Sequence, residues 1–318
     1  MSAECRVPSA WWRVPSAWCL VVFVLASVVA SSMTDEELLK RVFDDDDTYV
    51  IRMETGDVLT GPIVEFAEDE NGAYVRVASV VGRAKVYAKE IAWISTVDAA
   101  YRHRHRGYIL PTAQPIRNDH FLALIEGVMP YMGFGIGEWF SMTGGRTLLP
   151  GIDWSEQISM LNVKFTVFET ENGLIPEGEQ YYALGFNGGW LNDVNFMGHV
   201  YGVATFTGKR TQASLMMFAK VAGKDLYTLT AGDLIDPINF ALANGTFGVG
   251  IGLDTRFPEM RNLHFIGELW NADLTRPSNT ILYLGLRMTS TAVAMDFGLT
   301  IVPGPAVVPA VAFAWTPF

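Results

Sequence analysis

Apolar and polar residues alternate with a period of two over long stretches of the C-terminal half of the chain. In 246–256, Phe247, Val249, Ile251 and Leu253 alternate with Gly248, Gly250, Gly252, Asp254 and Arg256. In 281–289, Leu282, Leu284, Leu286 and Met288 alternate with Tyr283, Gly285, Arg287 and Thr289. In 292–301, Val293, Met295, Phe297, Leu299 and Ile301 alternate with Ala292, Ala294, Asp296, Gly298 and Thr300. A period of two describes strands with one apolar face. The opposite face is small or charged, unlike the Lys-, Glu- and Thr-rich surface of a soluble sandwich. This predicts a narrow, curved barrel with the small face inside and the apolar face against lipid. Each segment is close to the roughly 9–11 residues that a tilted strand needs to span a bilayer.

Weaker alternation marks further strands at 121–129, 133–144, 157–169, 180–191, 195–207, 210–222, 261–270 and 307–316. With the three above this makes eleven, and single-chain bacterial barrels have an even number. The stretch 223–245 is long for one turn, and Asp225–Thr230 supplies a candidate twelfth strand. The expected fold is all-β: a transmembrane antiparallel barrel of twelve strands, with ten as the alternative. Short links should face the periplasm and longer ones the outside. One link, 208–209, is short yet would face outward on this count.

The N-terminal third has a different pattern. Residues 1–32 carry Arg6 and Arg13, an apolar run from Ala17 to Ala30 and small residues after it, as in a secretory signal. Residues 33–47 read as a short helix, with Thr34 and Glu37 at capping-box spacing, followed by the acidic run Asp44–Asp47. Residues 48–97 show short strands separated by Gly and Asn turns, which predicts a small β-domain. Its strands fall at 49–53, 58–66, 73–80 and 84–88, with a closing piece at 89–94. Residues 98–118 read as a linker containing Arg102, His103, Arg104, His105 and Arg106. Its arginines, Arg102, Arg104 and Arg106, are candidates for contact with lipid phosphates, with a solvated linker as the alternative. Residues 119–318 would form the barrel.

Composition sharpens this picture. Half of the 318 residues are hydrophobic, yet only the leader approaches a membrane-spanning helix. Of 30 glycines, 25 lie beyond position 118, which disfavours helix there. A net charge of −11 argues against nucleic-acid binding. The two cysteines, Cys5 and Cys19, both fall in the leader, so the exported chain would have no disulfide and no thiol nucleophile.

Several short motifs add a resemblance. "ETGDVLTGPIVEF" and the closing "KEIAWI" resemble the SH3-like or Sm-like fold over about 50 residues. "LPTAQPI" at 110–116, "GFGIGEWFSMTGG" at 133–145, "LLPG" at 148–151 and "HFIGELWNAD" at 264–273 resemble a broad group of outer-membrane barrels from Bacteroidetes-like bacteria. The resemblance implies a membrane barrel behind a small periplasmic domain. It supplies no agreed substrate and no catalytic residues.

The candidate chemistry is mostly charge. Lys164, Lys220, Asp254, Arg256, His264, Glu268, Arg287 and Asp296 fall on the expected lumen face. They would line a polar channel or form internal ion pairs that fill a narrow barrel, since buried charges must be paired. His264 and Glu268 stand about 13 Å apart along a strand, too far to act together. With a tight turn centred near Ser290, Arg287 would pair with about residue 293, leaving Asp296 past it. Phe313, Trp315 and Phe318 are candidates for the signal read by the barrel-assembly machinery, although Pro317 intervenes and Phe318 has the other parity. No nucleophile elbow, zinc-protease motif or phosphate loop occurs, so no enzyme, metal or cofactor is expected. The expected function is an outer-membrane barrel serving as a pore or solute transporter. The alternatives are a closed barrel anchoring a periplasmic interaction domain and, third, a barrel lipid hydrolase. The expected partners are outer-membrane lipid, the assembly machinery and a periplasmic protein for 48–97.

Overall fold

A computed structural model describes residues 33–39, 43, 47–79, 82–97, 101–117, 121–171, 178–192, 195–229, 238–258, 260, 262–290, 292–303 and 306–317. The leader with its cysteines, Asp44–Asp46 and Phe318 lie outside the described residues. The chain divides into two compact units, Met1–Val97 and Asp98–Phe318.

The first unit opens with α1 (Asp35–Leu39). Thr34 and Glu37 cap it reciprocally: the Thr34 amide donates to Glu37 Oε2 (2.8 Å), and the Glu37 amide donates to Thr34 Oγ1 (3.2 Å). Six strands follow: β1 (Tyr49–Met53), β2 (Val58–Gly61), β3 (Ile63–Asp69), β4 (Gly72–Ser79), β5 (Gly82–Tyr87) and β6 (Ile91–Thr96). They form two three-stranded sheets, β2-β1-β6 and β3-β4-β5. The expected continuous strand 58–66 is divided at Pro62, which has no N–H to offer a ladder, and the chain passes there from one sheet to the other. Leu38, Ile51, Val75, Val77, Ile91 and Ile94 form its buried core.

The second unit is a closed antiparallel barrel of twelve strands. These are β7 (Phe121–Glu126), β8 (Met129–Ile136), β9 (Phe140–Arg146), β10 (Ile158–Glu171), β11 (Glu179–Leu191), β12 (Asn195–Thr207), β13 (Thr211–Gly223), β16 (Phe247–Arg256), β17 (Leu263–Asn271), β18 (Thr280–Thr289), β19 (Val293–Val302) and β20 (Ala306–Trp315). Neighbours in sequence pair around the ring, and β20 closes on β7 through Ala312↔Glu126 to Trp315↔Ala123.

The expected number of strands is present, but two of the assignments differ. The single strand expected at 133–144 is two strands: Gly137, at φ +58°, turns the chain so that Ile136 faces Phe140. The candidate strand at 225–230 is not in the wall. Its residues enter β14 (Leu226–Leu229), which pairs only with β15 (Ile238–Ala241). The ladder between β13 and β16 ends at Ala219↔Phe247, and the Lys220 amide bonds to Thr246 O, so the hairpin stands beyond the end of the wall. This exchange also removes the difficulty at 208–209. The links 137–139, 208–210 and 290–292 now share a side with the two ends of the barrel, and the longer links 147–157 and 224–246 share the other.

Burial follows the register. In β18, Leu284, Leu286 and Met288 are 45%, 42% and 57% exposed, whereas Tyr283 and Arg287 are 0% exposed. After β18 the Ser290 amide donates to Val293 O, and Arg287 lies directly opposite Asp296. The register expected from a turn centred near Ser290 was three residues short.

A fragment spanning residues 33–97 is expected to fold alone, because its core is complete within it. Cooperative thermal loss of a β-type circular dichroism spectrum checks this; a spectrum without structure would contradict it.

Candidate functional site

The lumen is filled by the segment before β7. Residues Tyr101–Ile116 run through the barrel, held by side chains from eight wall strands. The basic stretch therefore lies inside the barrel rather than at a lipid surface. His103, His105 and Arg106 are all buried.

A tight hairpin carries the centre of this plug. The Gly107 amide donates to Leu110 O (2.8 Å), and Arg106 bridges to Pro111. The hairpin tip turns the amides of Tyr108, Ile109 and Leu110 toward Glu268 on β17, at 2.6, 2.5 and 3.2 Å. Consecutive N–H groups converging on one point form an anion nest, and here its occupant is the barrel's own carboxylate. Gly107 is required by this approach: a Cβ there would coincide with Glu268 Oε1. Gly135 has the same role on the wall, where a Cβ would strike Ile116 O. Tyr108 stacks on Tyr283 with 4.1 Å between ring centroids.

Beside the nest lies a charge network. Arg287 donates from Nε to Asp296 Oδ1 (2.6 Å) and from Nη2 to Asp296 Oδ2 (2.9 Å). It also reaches Gly107 O (3.1 Å), Arg106 O (3.3 Å) and Asp254 Oδ2 (3.3 Å). Arg106 donates to the same Asp296 Oδ2 (3.0 Å). Asp254 also meets His264 Nδ1 (2.6 Å) and accepts from the Tyr101 hydroxyl (3.3 Å). Wall and plug thus share one set of fixed charges, which at low dielectric is stable only while every member has its partners.

Polar side chains hold the rest of the plug. Lys164 donates to Thr112 O and Gln114 O, each at 2.6 Å. Thr166 donates to Ala113 O (2.7 Å), and Thr205 Oγ1 accepts from the Ala113 amide (2.8 Å). Ser141 accepts from the Ile116 amide (2.7 Å), and Gln212 donates to Arg104 O (2.8 Å).

Six of the eight candidate lumen charges, Lys164, Asp254, His264, Glu268, Arg287 and Asp296, therefore meet the plug. The other two lie apart. Lys220 bonds to Lys224 O and Leu242 O beneath the β14–β15 hairpin, and Arg256 donates to Lys209 O (3.2 Å) at the opposite rim. Arg102 donates to Pro317 O (2.8 Å), and Arg104 lies 3.5 Å from Glu179. Phe313 and Trp315 face outward. No group of acidic, histidine or cysteine side chains able to hold a metal occurs among the described residues. Sequence reasoning missed Tyr101, Tyr108 and the amides of 108–110. A signal was present: the one concentrated basic stretch of an acidic chain precedes a barrel with carboxylates expected inside.

No family model and no curated protein matches this chain. Among solved structures it is similar to the KdgM porin in complex with disordered oligogalacturonate, at a TM-score of 0.37 and 6% identity over 62% of this chain and 95% of that one. It is also similar to OccK10 (OpdN) of Pseudomonas aeruginosa, at 0.31 and 7% over 85% and 96%. The toluene transporter TbuX of Ralstonia pickettii gives 0.31 and 11% over 85% and 86%. These likenesses concern barrel architecture alone.

Asp296 is the shared acceptor of two arginines, so Asp296→Leu is expected to destabilise the barrel by about 3–5 kcal/mol. The double change Asp296→Leu with Arg287→Leu should cost less than Asp296→Leu alone, because it removes one of the two stranded cations. Urea midpoints of the refolded variants, read by gel mobility with and without heating, check the order.

Proposed function

We propose that this chain is an outer-membrane β-barrel protein whose bore is closed by its own segment Tyr101–Ile116. The observation that carries the reading is the combination of an apolar exterior and a filled interior. Leu284, Leu286, Met295, Phe297, Leu299 and Ile301 are exposed on adjacent strands, a band that water would not favour and lipid would. Inside, the plug takes hydrogen bonds from most of the wall. In this conformation the barrel is not a free water-filled pore, and any passage of solute needs the plug to move. The ends of the barrel and the links 137–139, 208–210 and 290–292 would face the periplasm, with 147–157 and 224–246 outside. The Met1–Val97 unit, which resembles SH3-like domains in sequence, would then lie in the periplasm.

A second reading is a permanently closed barrel that anchors this first unit for a periplasmic partner. The density of plug contacts favours it as strongly as it favours a gated conduit. Bilayer recordings separate the two.

Leu284→Arg or Phe297→Arg is expected to block assembly, because a lipid-facing arginine near the midplane costs roughly 2–4 kcal/mol. Loss of heat-modifiable mobility and of membrane fractionation would show it; normal assembly of both variants would count against the membrane placement.

In planar bilayers the native protein should show no steady wide-pore current. Glu268→Ala strips three plug amides of their acceptor and should raise the frequency of openings if the barrel is a gated conduit. Silence of both proteins favours the anchoring barrel. A steady native current would contradict the closed bore.

A further inference from the structure

Between the plug and strands β7 to β11 lies a partly enclosed cavity of about 150 Å³. Its lining is largely apolar and includes Tyr108, Ile109, Leu122, Leu124, Tyr131 and Met160. Most of its polar groups are already engaged. Lys164 is held by two plug carbonyls, and Asn162 is held by Asn187 and the Tyr201 hydroxyl. Glu126 is different: among the described residues its carboxylate has no hydrogen bond and no ion pair.

The surrounding charges are committed elsewhere. Around the centre of the plug, Asp254 and Asp296 pair with Arg287 and Arg106, Glu268 is held by three plug amides, and Lys164 is held by plug carbonyls. Glu126 adds one more negative charge on the cavity wall, and none of these cations bonds to it. A carboxylate facing an apolar cavity is stabilised by a cation or a strong donor; Arg106 lines the same cavity, but its guanidinium bonds to Asp296 and Gly107 O and makes no bond to Glu126.

The barrel wall is also low beside Glu126. Strands β7, β8 and β9 are 6, 8 and 7 residues long, against 13 or 14 for β10 to β13. Glu126 is the last residue of β7. Past the pair Ala312↔Glu126, β20 continues through Ala306–Ala310 with no partner strand on that edge among the described residues. Pro309 suits an open edge because it has no N–H to leave unpaired. Val308 points inward by its pairing with Thr300, yet it is 47% exposed.

We propose that this cavity binds a compact apolar cation: one aromatic ring or a short branched alkyl group carrying an ammonium that pairs with Glu126. An apolar space of about 150 Å³ takes a benzene-sized body. The rings of Tyr108 and Tyr131 line the same cavity and suit a cationic guest. The low wall above Glu126 gives such a molecule a side approach that the plug does not block.

The proposal rests on the plugged-barrel reading. Its test uses the full-length protein in detergent, where heat-modifiable mobility reports independently whether the barrel has formed. Binding of benzylammonium, toluene and benzoate is measured by calorimetric titration. Benzylammonium should bind at least about tenfold more tightly than benzoate. Glu126→Gln should weaken benzylammonium about tenfold while leaving toluene unchanged. Leu124→Trp, which fills the space, should abolish both. Equal affinity for benzoate, indifference to Glu126→Gln, or no binding of benzylammonium by a properly formed barrel would overturn the proposal.

Discussion

The structure depends on one carboxylate shared by two arginines. Asp296 projects from the wall and accepts from Arg287, its neighbour across the strand pair, and from Arg106, which arrives from the plug. Asp296 could not stay charged in the barrel without them. The hairpin at 107–110 is placed by this contact, because Arg287 also grips the carbonyls of Arg106 and Gly107. Once the hairpin is fixed, its amides surround Glu268 and the stretch beyond it runs past Lys164, Thr166 and Ser141. The plug needs no hydrophobic core of its own. It borrows its hydrogen-bonding partners from the wall, one or two residues at a time.

The wall itself serves two environments at once, and the alternation in its strands follows from that. Outward positions hold Leu, Phe, Val and Met. Inward positions hold glycine and alanine where the plug comes close, and charge where the plug offers a complementary group. The inward glycines give room rather than flexibility. At Gly250 the missing side chain is replaced by Leu110 of the plug, and at Gly285 by the ring of Tyr283.

Much of this was legible in the sequence. The regular strands from 247 to 315 were readable because each has one purely apolar face, and their inward charges were found by parity alone. The strands β7 to β9 were harder to divide. They are short, and Gly137 is an inconspicuous turn inside what looks like one alternating run. The stretch 225–230 misled for the opposite reason: it has strand character and does form a strand, but only against its own hairpin. The plug was invisible to periodicity. A chain that borrows its structure has no pattern of its own, and Tyr101–Ile116 contributes mostly backbone to its contacts. The register at Asp296 turned on three residues of a turn, which no alternation of hydrophobicity can resolve.

The order of segments along the chain has a consequence for how the protein can be made. The plug precedes β7, and the ring closes only where β20, the last strand, meets β7, the first. An incomplete ring is an open sheet with an exposed groove, and the plug is covalently tied to one lip of that groove. It can lie down sideways while the seam is open, whereas a sealed ring would have to be threaded lengthwise by a charged peptide. The seam of four residue pairs is therefore also a clasp, and closing it ties the plug inside the ring.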